Sequence, residues 1–266
     1  RTVALTTAVA GAGVLSVLSY TWYKDFNTQS FHFFNDGIEW RGMDKIGHGV
    51  SSFYICEYAN QLYRWGGVSK KKSKRNALIT SAAFLTSVEV LDGFSEGWGF
   101  SLTDFGSNAA GMGLFLLSKA TKKDYFTLKY SFTPSEYREL RPSLLGKNTL
   151  SSLIKDYNGQ AYWVSLNVAA ITNTKVVPSW LSVAVGFGVG GLLGGEGNPE
   201  ISNEGLNLPN IERYSKFYLS PDIDLTKIKT KNVYLKTILK ALSFYKFPLP
   251  ALEFNSKSQW KLHLFK

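Results

Sequence analysis

The sequence predicts an α+β protein in which a bundle of about four helices precedes an antiparallel sheet of about five strands. The first observation is that apolar residues recur at three-and-four spacing before residue 150. The second is that they alternate with small or polar residues after that point, which is the period of a strand. We therefore expect a helical domain at residues 1–150 and a β domain at residues 151–266.

An uncharged run extends from Thr2 to Tyr23. It is long enough to span a bilayer as a helix, and Trp22 and Tyr23 stand where an interfacial aromatic belt would lie. Because the run is rich in Ala and Gly, it also fits the buried central helix of a bundle. Both interpretations predict an apolar N-terminal helix.

Three further helices are predicted at residues 43–65, 74–92 and 101–119, separated by short glycine-containing loops. Their apolar segments, such as ALITSAAFLTSV, are shorter than the roughly 20 residues that an independent membrane span needs. The three helices therefore fit a bundle that is buried or partly embedded.

A basic run, KKKSKR, is predicted to lie in the loop before the second of these helices. Such a run is either a solvated loop or a contact for anionic lipid headgroups. The net charge of +10 and the aromatic fraction of 15% favour a surface that meets anionic phosphates. Since no nucleic-acid-binding motif is present, we expect membrane lipid as the partner. The candidate headgroup-binding residues are Lys70, Lys71, Lys72, Lys74 and Arg75.

The β domain is predicted from alternating segments. In WLSVAVGFGVG, Val183, Val185 and Phe187 fall on one face and Ser182, Ala184 and the glycines on the other. YWVSLNV, RYSKFYLSPDIDL, ALEF and QWKLHLF alternate in the same way. We expect a sheet with one apolar face, which packs on the bundle or on the membrane, and a short helix at residues 232–243.

The segment Gly93 to Gly97 fits the G-x-S-x-G pattern of a serine hydrolase. That elbow requires a strand before the serine and a helix after it. Ser95 is predicted to have a helix on each side, and nothing in the sequence places a histidine as its base. The pattern therefore does not predict a nucleophile.

Polar residues at one-turn spacing stand out on the three predicted helices. Because an unpaired charge among apolar residues costs several kcal/mol, we expect these polar stripes to meet. Lys45 would supply a counter-charge. The predicted cluster comprises Asp44, Lys45, His48, Glu89, Asp92, Asp104 and Asn108.

Three interpretations of this cluster remain open. In the first, it is a structural cluster of salt bridges and hydrogen bonds that fixes helix register, with Ser101 and Asp104 as an S-x-x-D capping box. In the second, it is a metal or acid–base site that acts on a phosphate or glycan. The carboxylates and the imidazole would then hold a divalent ion or activate water. In the third, it is a binding pocket for a charged headgroup. The candidate metal ligands are Asp44, His48, Glu89 and Asp92.

The same residues resemble a known family. MDKIGH, EVLDGFS and LTDFGSNAAG are similar to the D-K-x-x-H, E-x-x-D and D-x-x-x-N-x-x-G motifs of the YfiM-like predicted envelope lipoproteins, a domain of unknown function. More distantly they resemble VanZ-like membrane proteins. DYNGQAYW, FYLSPDIDLTKIKT and LEFNSK are similar to longer members found in Bacteroidota. The resemblance implies residence in the periplasm or at the outer membrane and implies no reaction.

The leading hypothesis is a non-enzymatic, membrane-associated protein of the cell envelope, with other envelope proteins as further partners. It would lie on the periplasmic side of the outer membrane or be embedded in a membrane. The alternative is a metal-dependent or acid–base hydrolase or transferase that acts on a lipid-linked phosphate or glycan. Both need convergent carboxylates, so the metal content of the protein would distinguish them.

Overall fold

The computed structural model describes residues 6, 9, 11–13, 15, 16, 19, 20, 27–121, 123–202 and 205–266. The chain divides into two compact units. The helical unit comprises Arg1–Gly37 and Lys45–Ala120, and the sheet unit comprises Ile38–Asp44 and Thr121–Lys266. Helices followed by an antiparallel sheet confirm the predicted α+β class.

The three long helices are α1 (Met43–Trp65), α2 (Lys70–Gly93) and α3 (Leu102–Ala120). Their bounds agree with the predicted ones except at the start of α2. The basic run was predicted as a loop, but it forms the first turns of this helix. Lysine and arginine are good helix formers, and Ser73 anchors the turn by donating through Oγ to Val68 O at 3.1 Å.

The predicted N-terminal span, Thr2 to Tyr23, lies largely outside the described residues, and those described within it are helical. Of the helices in the described part of the chain, none is both long and apolar enough to cross a membrane. The span itself therefore stays a prediction.

The sheet contains six antiparallel strands, and each pairs with its neighbours in chain order. The strands are β1 (Phe126–Phe132), β2 (Gln160–Asn167), β3 (Leu181–Gly190), β4 (Tyr214–Ile223), β5 (Ala251–Asn255) and β6 (Trp260–His263). All five predicted strands are present. Strand β1 is additional, because its segment FTLKYSF lies before residue 150 in sequence that was interpreted as helical.

Short helices connect the strands. They are α4 (Pro142–Leu145), α5 (Thr149–Lys155), α6 (Val168–Thr172) and α7 (Val233–Ala241). Helix α7 matches the helix predicted at residues 232–243, and the side chain of Asn232 caps it by accepting from Leu235 N.

The buried face of the sheet is the one that carries its small and polar residues. Trp163 on β2 lies opposite Gly186 on β3, which lies opposite Tyr218 on β4. A Cβ at Gly186 would lie 2.5 Å from the Trp163 ring, so the glycine makes room for the indole. The core of this face consists of Ala161, Trp163, Ala184, Tyr218 and Ala251.

A fully buried ion pair lies on the same face. Lys129 Nζ is 2.6 Å from Asp222 Oδ2, and neither side chain is exposed. Ser165 Oγ donates to the same carboxylate at 2.6 Å. Nearby, Lys246 Nζ lies 4.8 Å from the centre of the Trp163 ring, and burial lowers the pKa of Lys246 to about 8. Charged groups thus lie beside the apolar core residues on the buried face of the sheet.

We expect Asp222→Ala to lower the free energy of unfolding by about 3 to 5 kcal/mol, because it strands Lys129 in the core. Urea-induced unfolding would measure the change. The control is Glu212→Ala, since Glu212 is mostly exposed and lies 3.1 Å from Lys257 Nζ, so that its loss should cost less than about 1 kcal/mol. Equal losses in the two variants would contradict the role of the buried pair.

Candidate functional site

Lys45 forms two ion pairs in the helical unit. Its Nζ lies 2.7 Å from Asp36 Oδ2 and 2.7 Å from Asp104 Oδ1. All three side chains are largely buried. Lys45 therefore connects the segment before α1 to the start of α3, and its single charge is shared between the two carboxylates.

Sequence analysis missed Asp36. Its Oδ1 accepts hydrogen bonds from Ser101 Oγ at 2.6 Å and Thr103 Oγ1 at 2.8 Å. Burial acts to raise the pKa of Asp36, but the bonds from Lys45, Ser101 and Thr103 outweigh it and lower the pKa to about 2. Its ionised form therefore stabilises the fold above about pH 4, and this stabilisation is lost as the pH falls toward 2. Asp36 lies outside a predicted helix, so helical spacing could not align it with the other acids.

His48 on α1 is surrounded by acceptor oxygens. Its Nδ1 lies 3.3 Å from Asn108 Oδ1 and 3.5 Å from Glu89 Oε1. Its Nε2 lies 3.7 Å from Asp104 Oδ1. Glu89 is 1% exposed and Asn108 is 3% exposed. The helical unit thus brings together at least one polar residue from each of its three long helices.

Close packing of α1 on α3 creates this arrangement. A Cβ at Gly111 would lie 2.0 Å from Gly49 O, so only a glycine permits the two helices to approach this closely. At the same contact, Ser52 Oγ donates to Asn108 O at 2.7 Å. This packing explains why Gly111 follows Asn108 one turn later.

Ser101 caps helix α3. Its Oγ accepts from Asp104 N at 3.0 Å, which is one half of the capping box that the sequence predicts. Its own N–H donates to Glu89 Oε2 at 3.4 Å. The cap thereby places the start of α3 beside Glu89 on α2.

The other two predicted acids lie at the ends of their helices. Asp44, one turn before His48 on α1, accepts a hydrogen bond from Tyr157 Oη at 2.6 Å within the sheet unit. Asp92 is half-buried in the last turn of α2. Their roles as metal ligands stay predictions.

The remaining sequence candidates occupy the surface or a turn. Lys70, Lys71, Lys72 and Arg75 are exposed, and Lys74 is half-buried. Ser95 follows the end of helix α2 at Gly93, not a strand, and its Oγ accepts from Gly97 N at 3.3 Å. The turn lacks the strand on which a nucleophile elbow depends.

We expect Asp104→Ala to lower the free energy of unfolding by about 3 kcal/mol, because it removes one partner of a buried pair. The value lies at the low end of the range for such pairs because Lys45 keeps Asp36. Chemical denaturation would measure it against Glu96→Ala, an exposed acid of the same unit. A change no larger than that of the control would contradict the structural role of Asp104.

Residues 32–120 match the model of a family described as "Predicted periplasmic lipoprotein (DUF2279)". The matched range contains Asp36, Lys45, His48, Glu89 and Asp104, the residues that form the cluster. It covers less than half of the 266 residues and ends with helix α3. No curated protein and no solved structure matches the chain. The YfiM-like, VanZ-like and Bacteroidota resemblances stay predictions, and the match supports a protein of the cell envelope, on the periplasmic side, with an unknown role.

Proposed function

We propose that this chain is a non-enzymatic protein of the cell envelope that binds an anionic membrane surface through its sheet. The observation that carries the proposal is the inverted polarity of the sheet. Its polar face is buried, and its apolar face is exposed. In water this arrangement exposes the surface that would gain most from burial, whereas lipid would cover it favourably.

The strand register aligns apolar residues in one row across the exposed face. Each residue of the row lies opposite the next one on the neighbouring strand. Their exposed fractions range from 39% to 66%. We call this the aliphatic row: Val164, Val185, Leu219, Leu252 and Leu262.

An aromatic row lies beside it. Phe217 on β4 lies opposite Phe254 on β5, which lies opposite Trp260 on β6. The three side chains are between 37% and 67% exposed. Aromatic residues, and Trp in particular, favour the boundary between lipid and water. Together the two rows form a contiguous apolar surface, which a soluble monomer rarely exposes.

The C-terminal segment that contains strands β5 and β6 is rich in lysine. Residues 225–266 contain nine lysines and a single acidic residue, Glu253. Within this segment, helix α7 exposes Tyr234 and Ile238 together with Lys236 and Lys240. An amphipathic helix of this composition suits the headgroup region of a membrane. Lysines near a lipid surface favour anionic lipids over neutral ones.

A groove at one end of the sheet offers a place for a headgroup. Its volume is about 660 Å³. It is lined by Pro178, Ser179, Trp180, Ile223, Lys227, Ile228 and Lys229. Trp180 supplies an amphipathic ring, and Lys229 supplies charge that attracts a phosphate, whereas Lys227 is paired with Asp124. The family description, which names a lipoprotein, is consistent with a location at a membrane.

The internal pairing of the charged cluster supports the non-enzymatic proposal. Lys45 lies at hydrogen-bonding distance from Asp36 and Asp104, so these groups already satisfy one another. The metal-dependent form of the hydrolase or transferase alternative requires a bound ion near His48. That alternative does not depend on membrane binding, so the two hypotheses can be tested separately.

We expect the double variant Leu219→Asn/Leu252→Asn to bind vesicles of phosphatidylglycerol and phosphatidylcholine about 30-fold more weakly. Each half-exposed leucine contributes about 1 kcal/mol when lipid covers it. Co-sedimentation with vesicles would measure the affinity. The matched control is Leu150→Asn/Leu206→Asn, two exposed leucines outside the sheet. Equal affinities of the two double variants would contradict docking through the sheet.

The basic run gives a separate prediction. If it contacts headgroups, replacing Lys70, Lys71, Lys72, Lys74 and Arg75 by Gln weakens binding to anionic vesicles by about 1 kcal/mol for each residue near the surface. The loss should shrink at high salt and on purely phosphatidylcholine vesicles. Unchanged binding at low salt would mean that the run is only solvated.

A further inference from the structure

We propose that Lys216, Lys261 and Lys266 form a binding site for a phosphate monoester group on the buried face of the sheet. The inference goes beyond membrane binding, because the site lies on the face opposite to the aliphatic row. It rests on residues of the sheet unit alone and does not depend on the proposed function.

The strand register places these lysines around one buried carboxylate. Tyr218 on β4 lies opposite Glu253 on β5, which lies opposite Lys261 on β6. Lys216 comes two residues before Tyr218, so its side chain is directed to the same face of β4. Lys266, which follows β6, reaches this face as well, since its Nζ lies 5.4 Å from the centre of the Tyr218 ring. The three lysines therefore lie around Glu253 and Tyr218.

The charges of the three lysines disfavour one another. Burial lowers the pKa of Lys266 to about 8, and the charges of Lys216 and Lys261 add to the lowering. Burial also lowers the pKa of Lys216, and the charge of Lys261 again adds to it. Lys216 and Lys266 are only partly exposed, whereas Lys261 is exposed. Two ammonium groups thus lie in a partly buried place where each opposes the charge of the other.

The nearest carboxylate does not pair with these groups. Within the part of the chain that the structure describes, no carboxylate lies at ion-pair distance from Lys216, Lys261 or Lys266, and their Nζ atoms donate no hydrogen bond. Glu253 is 4% exposed and acts to raise the pKa of Lys216 and Lys266. However, its Oε2 lies 2.8 Å from His263 Nε2, so this oxygen already has a partner.

The next carboxylate, Asp156, is also occupied. It accepts hydrogen bonds from Ser135 N at 2.9 Å, from Ser135 Oγ at 3.0 Å and from Asn158 Nδ2 at 3.3 Å. Its effect on the pKa of Lys216 is smaller than that of Glu253, and the effect of the exposed Glu136 is smaller still. Partly buried ammonium groups without a direct counter-ion are costly, and a bound anion would remove that cost.

Aromatic rings hold the two partly buried ammonium groups in place. Lys216 Nζ lies 5.3 Å from the centre of the Tyr214 ring, and Lys266 Nζ lies at a similar distance from Tyr218. Both distances permit a cation–π interaction. A Cβ at Gly190 would lie 2.8 Å from Lys216 Cε, so the glycine leaves the space in which this side chain lies. A ring attracts a cation without neutralising it, so the ammonium groups are positioned and still available to an anion.

A phosphate monoester matches the site in charge. It carries about two negative charges at neutral pH, and a lysine binds phosphate as a point charge. One such dianion would compensate both Lys216 and Lys266, whereas a single carboxylate would compensate only one of them. The exposed Lys261 adds a third charge at the solvent side of the site. Lipids and soluble molecules both carry this group, so the choice of probes has to separate them.

The test titrates the whole chain at neutral pH by calorimetry. The probes are glycerol phosphate, dihexanoyl phosphatidic acid and, as a matched control, dihexanoyl phosphatidylcholine, whose phosphate is a diester compensated by choline. We expect the two monoesters to bind at one site. Lys216→Gln and Lys266→Gln should each weaken their binding about 10-fold, because each removes a charged hydrogen-bond donor. The control Lys240→Gln, an exposed lysine of α7, should bind as the wild type does.

The two monoesters distinguish the source of the phosphate. Phosphatidic acid that binds about 10-fold more tightly than glycerol phosphate would identify a lipid as the ligand. Equal affinities would identify the phosphate group of a soluble molecule. If phosphatidic acid and phosphatidylcholine bind equally and glycerol phosphate does not bind, the acyl chains are recognised and the proposal is overturned.

A second measurement protects the test from unfolded variants. Without ligand, Lys216→Gln and Lys266→Gln should not lower the Tm, because each removes a partly buried charge that has no direct counter-ion. Glycerol phosphate should raise the Tm of the wild type more than that of either variant. A lowered Tm of both variants without ligand would mean that the lysines already have their partners, and it would overturn the proposal. So would a wild type that binds neither monoester, or variants that bind both as tightly as the wild type does.

Discussion

The helical unit depends on the double ion pair of Lys45 with Asp36 and Asp104. Burying one charge without a partner would cost several kcal/mol, so the segment before α1, helix α1 and the start of α3 must meet where these groups compensate one another. Ser101 strengthens the junction, since it donates to Asp36 and caps α3 in front of Asp104. The position of this pair in turn brings His48 between Glu89 and Asp104.

The sheet unit obeys the same constraint on its buried face. Lys129 and Asp222 are fully buried and lie 2.6 Å apart, and Ser165 adds a third polar contact. Trp163 fills the space that Gly186 leaves and presents its ring to Lys246. Because polar groups occupy the interior, apolar side chains of the same strands are directed outward. The exposed apolar surface is therefore a consequence of what the strands bury.

These two features suggest a division of roles. The helical unit contains the motifs that the family model matches, together with a compact set of charged and ligand-type side chains. The sheet unit contains the apolar rows and the whole of the lysine-rich C-terminal segment. The proposal of membrane binding rests on the sheet unit alone, so it can be tested without assuming a role for the charged cluster of the helical unit.

The sequence by itself determined the type and position of most elements. Apolar periodicity is a local property, so the spacing of three and four residues marked α1, α2 and α3, and alternation marked β2 to β6. It also predicted that polar stripes on the three helices would converge. Helical spacing aligns Asp104 with Asn108 and places Lys45 near His48, but it gives no access to groups outside a helix.

Only the tertiary structure decided which groups meet and which face of the sheet is buried. Asp36 enters the cluster from a non-helical segment, and Asp44 accepts a hydrogen bond from Tyr157, more than a hundred positions away in the chain. Alternation separates two faces of a strand but does not say which one is buried. Here the pairing of Lys129 with Asp222 allows the polar face to be buried, because each charge finds its partner only when the sheet forms.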